Sequence, residues 1–291
     1  MSTNLFEKLL ENKPVITDGA WGTQMQEFGL PVGQLPDAWN LAYPDIVEKV
    51  AKAYIEAGSR VILTNTFQSN RFTLERFDLA DRVAEINRAG AKISKSAAHD
   101  SAYVFASIGP SGRMLVTGET TEDQLYDVFL EQAEALKNGG ADAVVVETMS
   151  DPAEAKAAIR AAKAVGLPVV GSMVFDTGKN KDRTMMGTTV EQAVQALTEA
   201  GADAIGANCG QGIEGFIPIC ERLVAATELP IWIKANAGLP VMKDGLPAYL
   251  TTPAQFASHA KTLAEQGASF IGGCCGTSPE FIRELNKALH D

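Results

Sequence analysis

The chain has 291 residues, 46% of them hydrophobic, and a formal net charge of −11. That charge argues against nucleic acid or an anionic membrane as a partner, since either needs a basic face, and no apolar run approaches the ~20 residues that span a bilayer. Four cysteines are too few for a disulfide framework in a chain this long; in a reducing compartment they read as metal ligands or reactive thiols.

Residues 1–13 mix Glu7, Lys8 and Glu11 with apolar side chains and lack the basic start and apolar block of a secretory signal, so a cytoplasmic location is expected. A helix over 5–10 leads into a strand over 15–18. A long glycine-containing segment, from Gly19 to about Asn40, precedes a helix over 45–57. The next units pair strand 61–66 with a helix within 79–98, strand 103–108 with helix 122–138, and strand 143–148 with helix 152–165. Strand 168–175 runs through a polar loop to helix 190–200, strand 204–209 precedes helix 214–226, and strand 231–236 precedes a loop and helix 253–266. The last strand ends in Gly272-Gly273-Cys274-Cys275-Gly276-Thr277, and a helix over 279–289 follows. Ser150 or Asp151, Thr252 and Ser278 suit helix caps, with Pro152 in a first turn.

The strand cores are nearly continuous Val- and Ile-rich runs, as in a parallel sheet covered by helices. Eight strand–helix units predict an α/β protein, a single (β/α)8 TIM-type barrel over residues 1–291. The competing open sheet would suit a glycine-rich dinucleotide fingerprint, which is absent.

Barrel active sites lie at the carboxyl ends of the strands. Here those ends carry Asp18, Asn65-Thr66, Gly109-Pro110, Glu147-Thr148, Phe175-Asp176, Asn208-Cys209, Asn236 and Cys274-Cys275. Adjacent cysteines strain a mutual disulfide but suit a thiophilic metal, and the fold brings a third ligand, Cys209, from two strands away. Successive strand side chains point to opposite faces, so both thiols can meet one ion only where Gly272, Gly273 and Gly276 let the chain bend. Three thiolates leave a tetrahedral zinc one position short, as catalytic sites do. His99, His259 and His290 are poorly placed to fill it, and Cys220 reads as a buried apolar residue in a helix. A thiol entering the open position would lose its proton yet stay nucleophilic, because three thiolates make the centre anionic. The chemistry that fits is alkyl transfer to that thiol. A structural cysteine site and a hydrolase using metal-bound water are the alternatives, and the second expects histidine and carboxylate ligands at the strand ends.

Residues 17–23 (Thr-Asp-Gly-Ala-Trp-Gly-Thr), Leu63-Thr64-Asn65-Thr66-Phe67, Glu147-Thr148, Asn208-Cys209 and the Gly272–Thr277 motif together resemble the homocysteine S-methyltransferase family. The likeness covers nearly the whole chain. It implies a (β/α)8 barrel, Zn2+ on Cys209, Cys274 and Cys275, and homocysteine as the methyl acceptor. It also implies that Asp18 and Glu147 accept hydrogen bonds from the substrate ammonium, that amides around Gly19 and Ala20 hold its carboxylate, and that Asn65, Thr66 and Asn208 shape the pocket. The first loop is most like the N-terminal module of cobalamin-dependent methionine synthase, though that module usually has Met at the position of Trp21. The methyl donor stays open. A small onium compound would sit over Trp21, Phe28, Trp39 and Phe67 through cation–π contacts, unless these aromatics only pack the loop. The other reading is a homocysteine-activating module served by a separate methylcorrinoid or folate protein.

Overall fold

The computed structural model describes residues 5–243 and 246–290. Its apolar runs form β1 (Val15–Ile16), β2 (Val61–Ile62), β3 (Tyr103–Ile108), β4 (Ala143–Met149), β5 (Val169–Met173), β6 (Ala204–Gly212) and β7 (Ile231–Asn236). An antiparallel hairpin, β8 (Val241–Lys243) and β9 (Leu246–Ala248), precedes β10 (Ala268–Gly273). Eight of these strands make one parallel sheet in the order β1-β10-β7-β6-β5-β4-β3-β2. A parallel bridge from Thr17 to Val61 joins the first strand back to the last and closes the ring. The expected (β/α)8 barrel is what forms.

Helices cover the outside, and their starts are written in the sequence. Thr121, Thr189 and Thr252 each make a capping box with a glutamine three residues on. Asp151, rather than Ser150, caps Pro152–Ala164 by accepting from the Ala153 amide at 2.8 Å. At two helix-to-strand turns an aspartate reaches across the sheet. Asp142 accepts from Val104 N at 2.8 Å and Asp203 from Val169 N at 2.7 Å, each also paired with a lysine.

Three local differences matter for the site. Strands expected over 15–18 and 61–66 are two residues long. Side chains replace the ladder there: Leu63 N donates to Asp18 Oδ2 at 2.7 Å, Ser107 N to Thr64 Oγ1 at 3.0 Å, and Thr66 Oγ1 to Ser107 O at 2.8 Å. The long first segment holds helical turns at Trp21–Glu27, Pro36–Ala38 and Trp39–Ala42. The loop after β7 contains the β8–β9 hairpin.

Inside the barrel, residues two apart on a strand share the inner face. Phe105 on β3, Trp232 on β7 and Phe270 on β10, with Phe6 from the first helix, form an aromatic floor with ring centroids 5.4 to 6.1 Å apart. Two residues on, the same strands carry Ser107, Lys234 and Gly272, and β4 carries Glu147 above Val145. Two further on stand Asn236 and Cys274. The interior is therefore apolar at the bottom, charged in the middle and thiol-bearing at the top. Among the described residues no helix is long and apolar enough to cross a membrane.

Candidate active site

The thiol layer is built by backbone bends. Cys209 ends its apolar run with φ 61°, a left-handed conformation that is uncommon for a residue with a Cβ. On the other side Gly276 has φ 78°, and a Cβ there would sit 2.2 Å from the Tyr249 ring, so only glycine fits. Hydrogen bonds fix the turn: Cys274 N to Ala235 O at 2.7 Å, Cys275 N to Asn236 Oδ1 at 3.1 Å, and Thr277 Oγ1 to Cys274 O at 2.7 Å.

The Sγ atoms of Cys209, Cys274 and Cys275 all lie within 4.8 Å of one another, and Cys209 and Cys275 are 3.8 Å apart. That is far beyond the ~2.05 Å of a disulfide. It matches the edge of a tetrahedron with Zn–S bonds of ~2.3 Å, which is about 3.8 Å. Hydrogen bonds from Cys274 and Cys275 hold the Cys209 thiol down at about 3. In return Cys209 drives Cys275 up to about 12 and Cys274 upward as well. Ionisation of one sulfur thus opposes ionisation of its neighbours, and a thiophilic divalent cation is what would let all three ionise. Cys220 stands apart, fully buried on the helix Ile213–Ala226, its thiol pushed up to about 12 by burial.

Beside the thiols lies a cavity of about 380 Å³, lined by Asp37, Asn65, Phe67, Ser107, Glu147 and Lys234 among others. Glu147 is buried, and burial raises its pKa while Lys234 opposes the shift. Its Oε1 accepts from Ser107 Oγ at 2.5 Å. Asn208 lies behind the wall. Its Oδ1 accepts from Thr148 N at 2.8 Å and Ser172 Oγ at 2.7 Å, and its Nδ2 donates to Thr148 Oγ1 at 2.7 Å. Thr148 has φ 59°, unusual for a β-branched residue. Asn208 therefore clamps a strained turn and presents Glu147 beside it.

The other expected residues divide. Gly19, Ala20, Trp21, Asn65 and Phe67 line the cavity. The Ala20 amide, expected to hold a carboxylate, donates to Thr277 Oγ1 at 3.1 Å. Asp18 lies fully buried behind the lining, with Oδ2 accepting from Trp21 Nε1 at 2.6 Å and from Leu63 N, and Oδ1 bound by Lys234. Thr66 is buried against β3. Trp39 packs into the core, 4.7 Å from the Tyr43 ring, and Phe28 points to solvent, so the expected aromatic donor wall reduces to Trp21 and Phe67.

Three residues escaped the sequence reading. Lys234 was visible as a charge inside an apolar parallel strand, which needs a partner. Asp37, in a helical turn of the first segment, is pushed up to about 6 by burial. It accepts from Gln68 N at 2.8 Å and Ser69 Oγ at 2.6 Å, and no ion pair reaches it among the described residues. Tyr249 packs on Gly276 and its phenol is raised to about 12, first by burial and then by Cys275; nothing in the sequence pattern marked it.

The family model for homocysteine S-methyltransferases matches residues 15–289. Methionine synthases of Mycobacterium leprae (strain TN) and Mycobacterium tuberculosis (strain ATCC 25618 / H37Rv) are each 32% identical, over 99% and 97% of this chain. The alignments take in 25% of each relative, so the chain spans about a quarter of their length. The metallated form of the homocysteine methyltransferase MmuM from Escherichia coli superposes with a TM-score of 0.82, over 98% of this chain and 99% of that one, at 21% identity. Its oxidized form gives 0.80 over the same shares, at 21% identity. At such identity the superposition speaks for the fold.

Proposed function

The chain belongs to the homocysteine S-methyltransferase family, and from that premise we propose that it methylates the sulfur of homocysteine to give methionine. The observation that carries this reading is the meeting of three thiols in the wall of a cavity whose next layer down holds Glu147 and Lys234. Cys209, Cys274 and Cys275 would hold zinc, which when bound supplies the positive charge that keeps a substrate thiol ionised near neutral pH. Glu147, in its ionised form, accepts hydrogen bonds from the α-ammonium. Asn208 and Ser107 hold its carboxylate in place. Asp18 acts behind it, orienting Lys234 and Trp21. In the transfer the sulfur lone pair forms the new S–CH3 bond. The bond from methyl to donor breaks with its electron pair leaving on the donor.

Two observations bear on the donor. Trp21 and Phe67 with the carboxylate of Asp37 favour a small onium cation, held by ring faces and one negative charge. The 32% identity to methionine synthases, with the first loop's likeness to the methionine synthase module, favours a methylcorrinoid or folate as the source of the methyl group. Methionine formation is tested with homocysteine and, separately, S-methylmethionine, betaine, S-adenosylmethionine and a methylated corrinoid. Turnover with one small cation supports the first donor reading, turnover with the corrinoid alone the second, and no methionine from any donor contradicts the function.

A further inference from the structure

We propose that Trp21 sets the size of methyl donor this site accepts. Its indole is a fixed wall beside the thiols that admits a methyl group on a small head and turns away one carried at the centre of a broad plane, as on a corrin. The inference rests on the reading of homocysteine as acceptor and chooses between its two donors.

The segment that carries Trp21 is fastened to the cysteine turn on both sides. Before it, Gly273 N donates to Asp18 O at 3.0 Å and Ala20 N to Thr277 Oγ1 at 3.1 Å. After it, Gly276 N donates to Thr23 Oγ1 at 3.3 Å. Gly19 leaves no slack, since a Cβ there would lie 2.8 Å from Thr277 Oγ1 and 2.9 Å from the Tyr54 ring. The side chain is fastened too. Trp21 Nε1 donates at 2.6 Å to Asp18 Oδ2, and Asp18 is fully buried and held by Leu63 N and Lys234. The ring packs on the apolar cluster inside the barrel as well as on the helix-facing core. It therefore spans one side of the cavity from the helical turn at Trp21–Glu27 down to the charged layer. Swinging it aside would break a buried hydrogen bond to a charged group, so it acts as a wall and not as a flap.

The cavity that this wall borders, with Cys209, Cys274 and Cys275 in its lining, measures about 380 Å³. That is close to the ~300 Å³ at the lower end for sites that hold one drug-sized ligand, yet it must receive homocysteine and the donor's methyl group together. Displacement at the methyl carbon brings it to ~3–3.5 Å from the sulfur with the leaving atom in line. A sulfonium or quaternary ammonium head fits such a space, and its charge gains from the ring face. In a methylcorrinoid the methyl stands on the metal at the centre of a macrocycle, so the whole plane must follow it toward the sulfur. A rigid indole beside the thiols stops that plane before the reacting atoms meet.

The test compares the zinc-loaded protein with its Trp21→Ala variant at saturating homocysteine. One readout is kcat/KM for methionine formation from S-methylmethionine, betaine and methylcobalamin. The other is binding of cyanocobalamin, which has the broad plane and no methyl to give, read by its visible absorbance after gel filtration. The wild-type protein should favour the better small cation over methylcobalamin by at least about 100-fold, as a steric mismatch larger than one methylene does, and should bind no cyanocobalamin. In Trp21→Ala the small-cation rate should fall and the methylcobalamin rate rise, closing the ratio by at least about tenfold, and cyanocobalamin should bind. Trp21→Met keeps apolar packing without a rigid plane and should move the ratio in the same direction if the alanine variant fails to fold. A wild-type protein that uses methylcobalamin as well as the small cations overturns the inference. So does a folded variant that gains neither corrinoid turnover nor cyanocobalamin binding, or that loses rate with every donor by the same factor, since the indole would then only pack the thiol end. If neither the wild-type protein nor its variants make methionine from any of the three donors, the functional reading falls first and this one with it.

Discussion

The two ends of the cavity are made from different parts of the chain. The inner end is built from strand ends: β4 gives Glu147, β6 Cys209, β7 Lys234 and β10 leads into Cys274 and Cys275. Its polar groups are tied into neighbours, down to the clamp of Asn208 on Thr148. The outer end is built from connecting segments, with Trp21, Pro36, Asp37, Phe67 and Gln68. There the buried carboxylate of Asp37 has hydrogen bonds but no ion pair among the described residues. Strands fix positions to fractions of an ångström, whereas loops vary freely on the same barrel. The difference fits the proposal that the acceptor binds at the rigid end and the donor at the variable one.

The largest effect should come from breaking the inner end at its metal ligands. Cys275→Ala should lower zinc affinity by more than the ~100-fold typical of outer-shell partners and abolish methionine formation, while circular dichroism shows an unchanged barrel. Full zinc content in the variant would remove Cys275 from the ligand set. Next comes Glu147→Gln, which keeps the shape and removes the charge. It should raise the homocysteine KM by about 10- to 100-fold with a smaller change in kcat. Because burial holds the wild-type Glu147 pKa above its ordinary value, wild-type binding should weaken on acidification sooner than for an ordinary glutamate, and the variant should lose that pH dependence.

Asn208→Ala tests whether the inner end needs its clamp. It leaves a strained Thr148 without two hydrogen bonds and Glu147 without one. Chemical denaturation should report a loss of about 2–3 kcal/mol, accompanied by weaker homocysteine binding.

The smallest effect, and one of opposite sign, belongs to the outer end. Asp37 is raised from 3.8 to about 6 by burial. The folded protein keeps that proton up to about pH 6 while the unfolded chain releases it near 4, so stability falls as pH rises through this window and is level above it. Asp37→Asn should therefore stabilise at pH 7, by at most about 3 kcal/mol, with the gain disappearing below pH 4. If the donor is an onium cation, the same variant should raise the donor KM and leave homocysteine binding alone.

Much of the inner end was legible from the sequence because parallel strands announce themselves as apolar runs, and their carboxyl ends then list the site. Glu147, Asn208 and Cys209 stand where the apolar runs of β4 and β6 give way to polar residues, and Cys274 and Cys275 directly follow β10. What the pattern could not carry was the direction of side chains where the ladder stops. Asp18 and Thr66 sit at strand ends too, but their oxygens close the gaps left by two-residue strands instead of facing the cavity. Trp39 turned inward because its segment folds into helical turns that no apolar period marks. Lys234 was the recoverable miss: counting by twos from Trp232 places it on the inner face.

The central claim is that the three thiols activate homocysteine through a metal they hold. It is tested most directly by homocysteine binding isotherms on protein carrying about one zinc per chain and on the same protein stripped with a chelator. Binding that depends on the metal and returns when zinc is restored is the predicted result. Equal affinity with and without zinc, in a protein that stays folded, would contradict it.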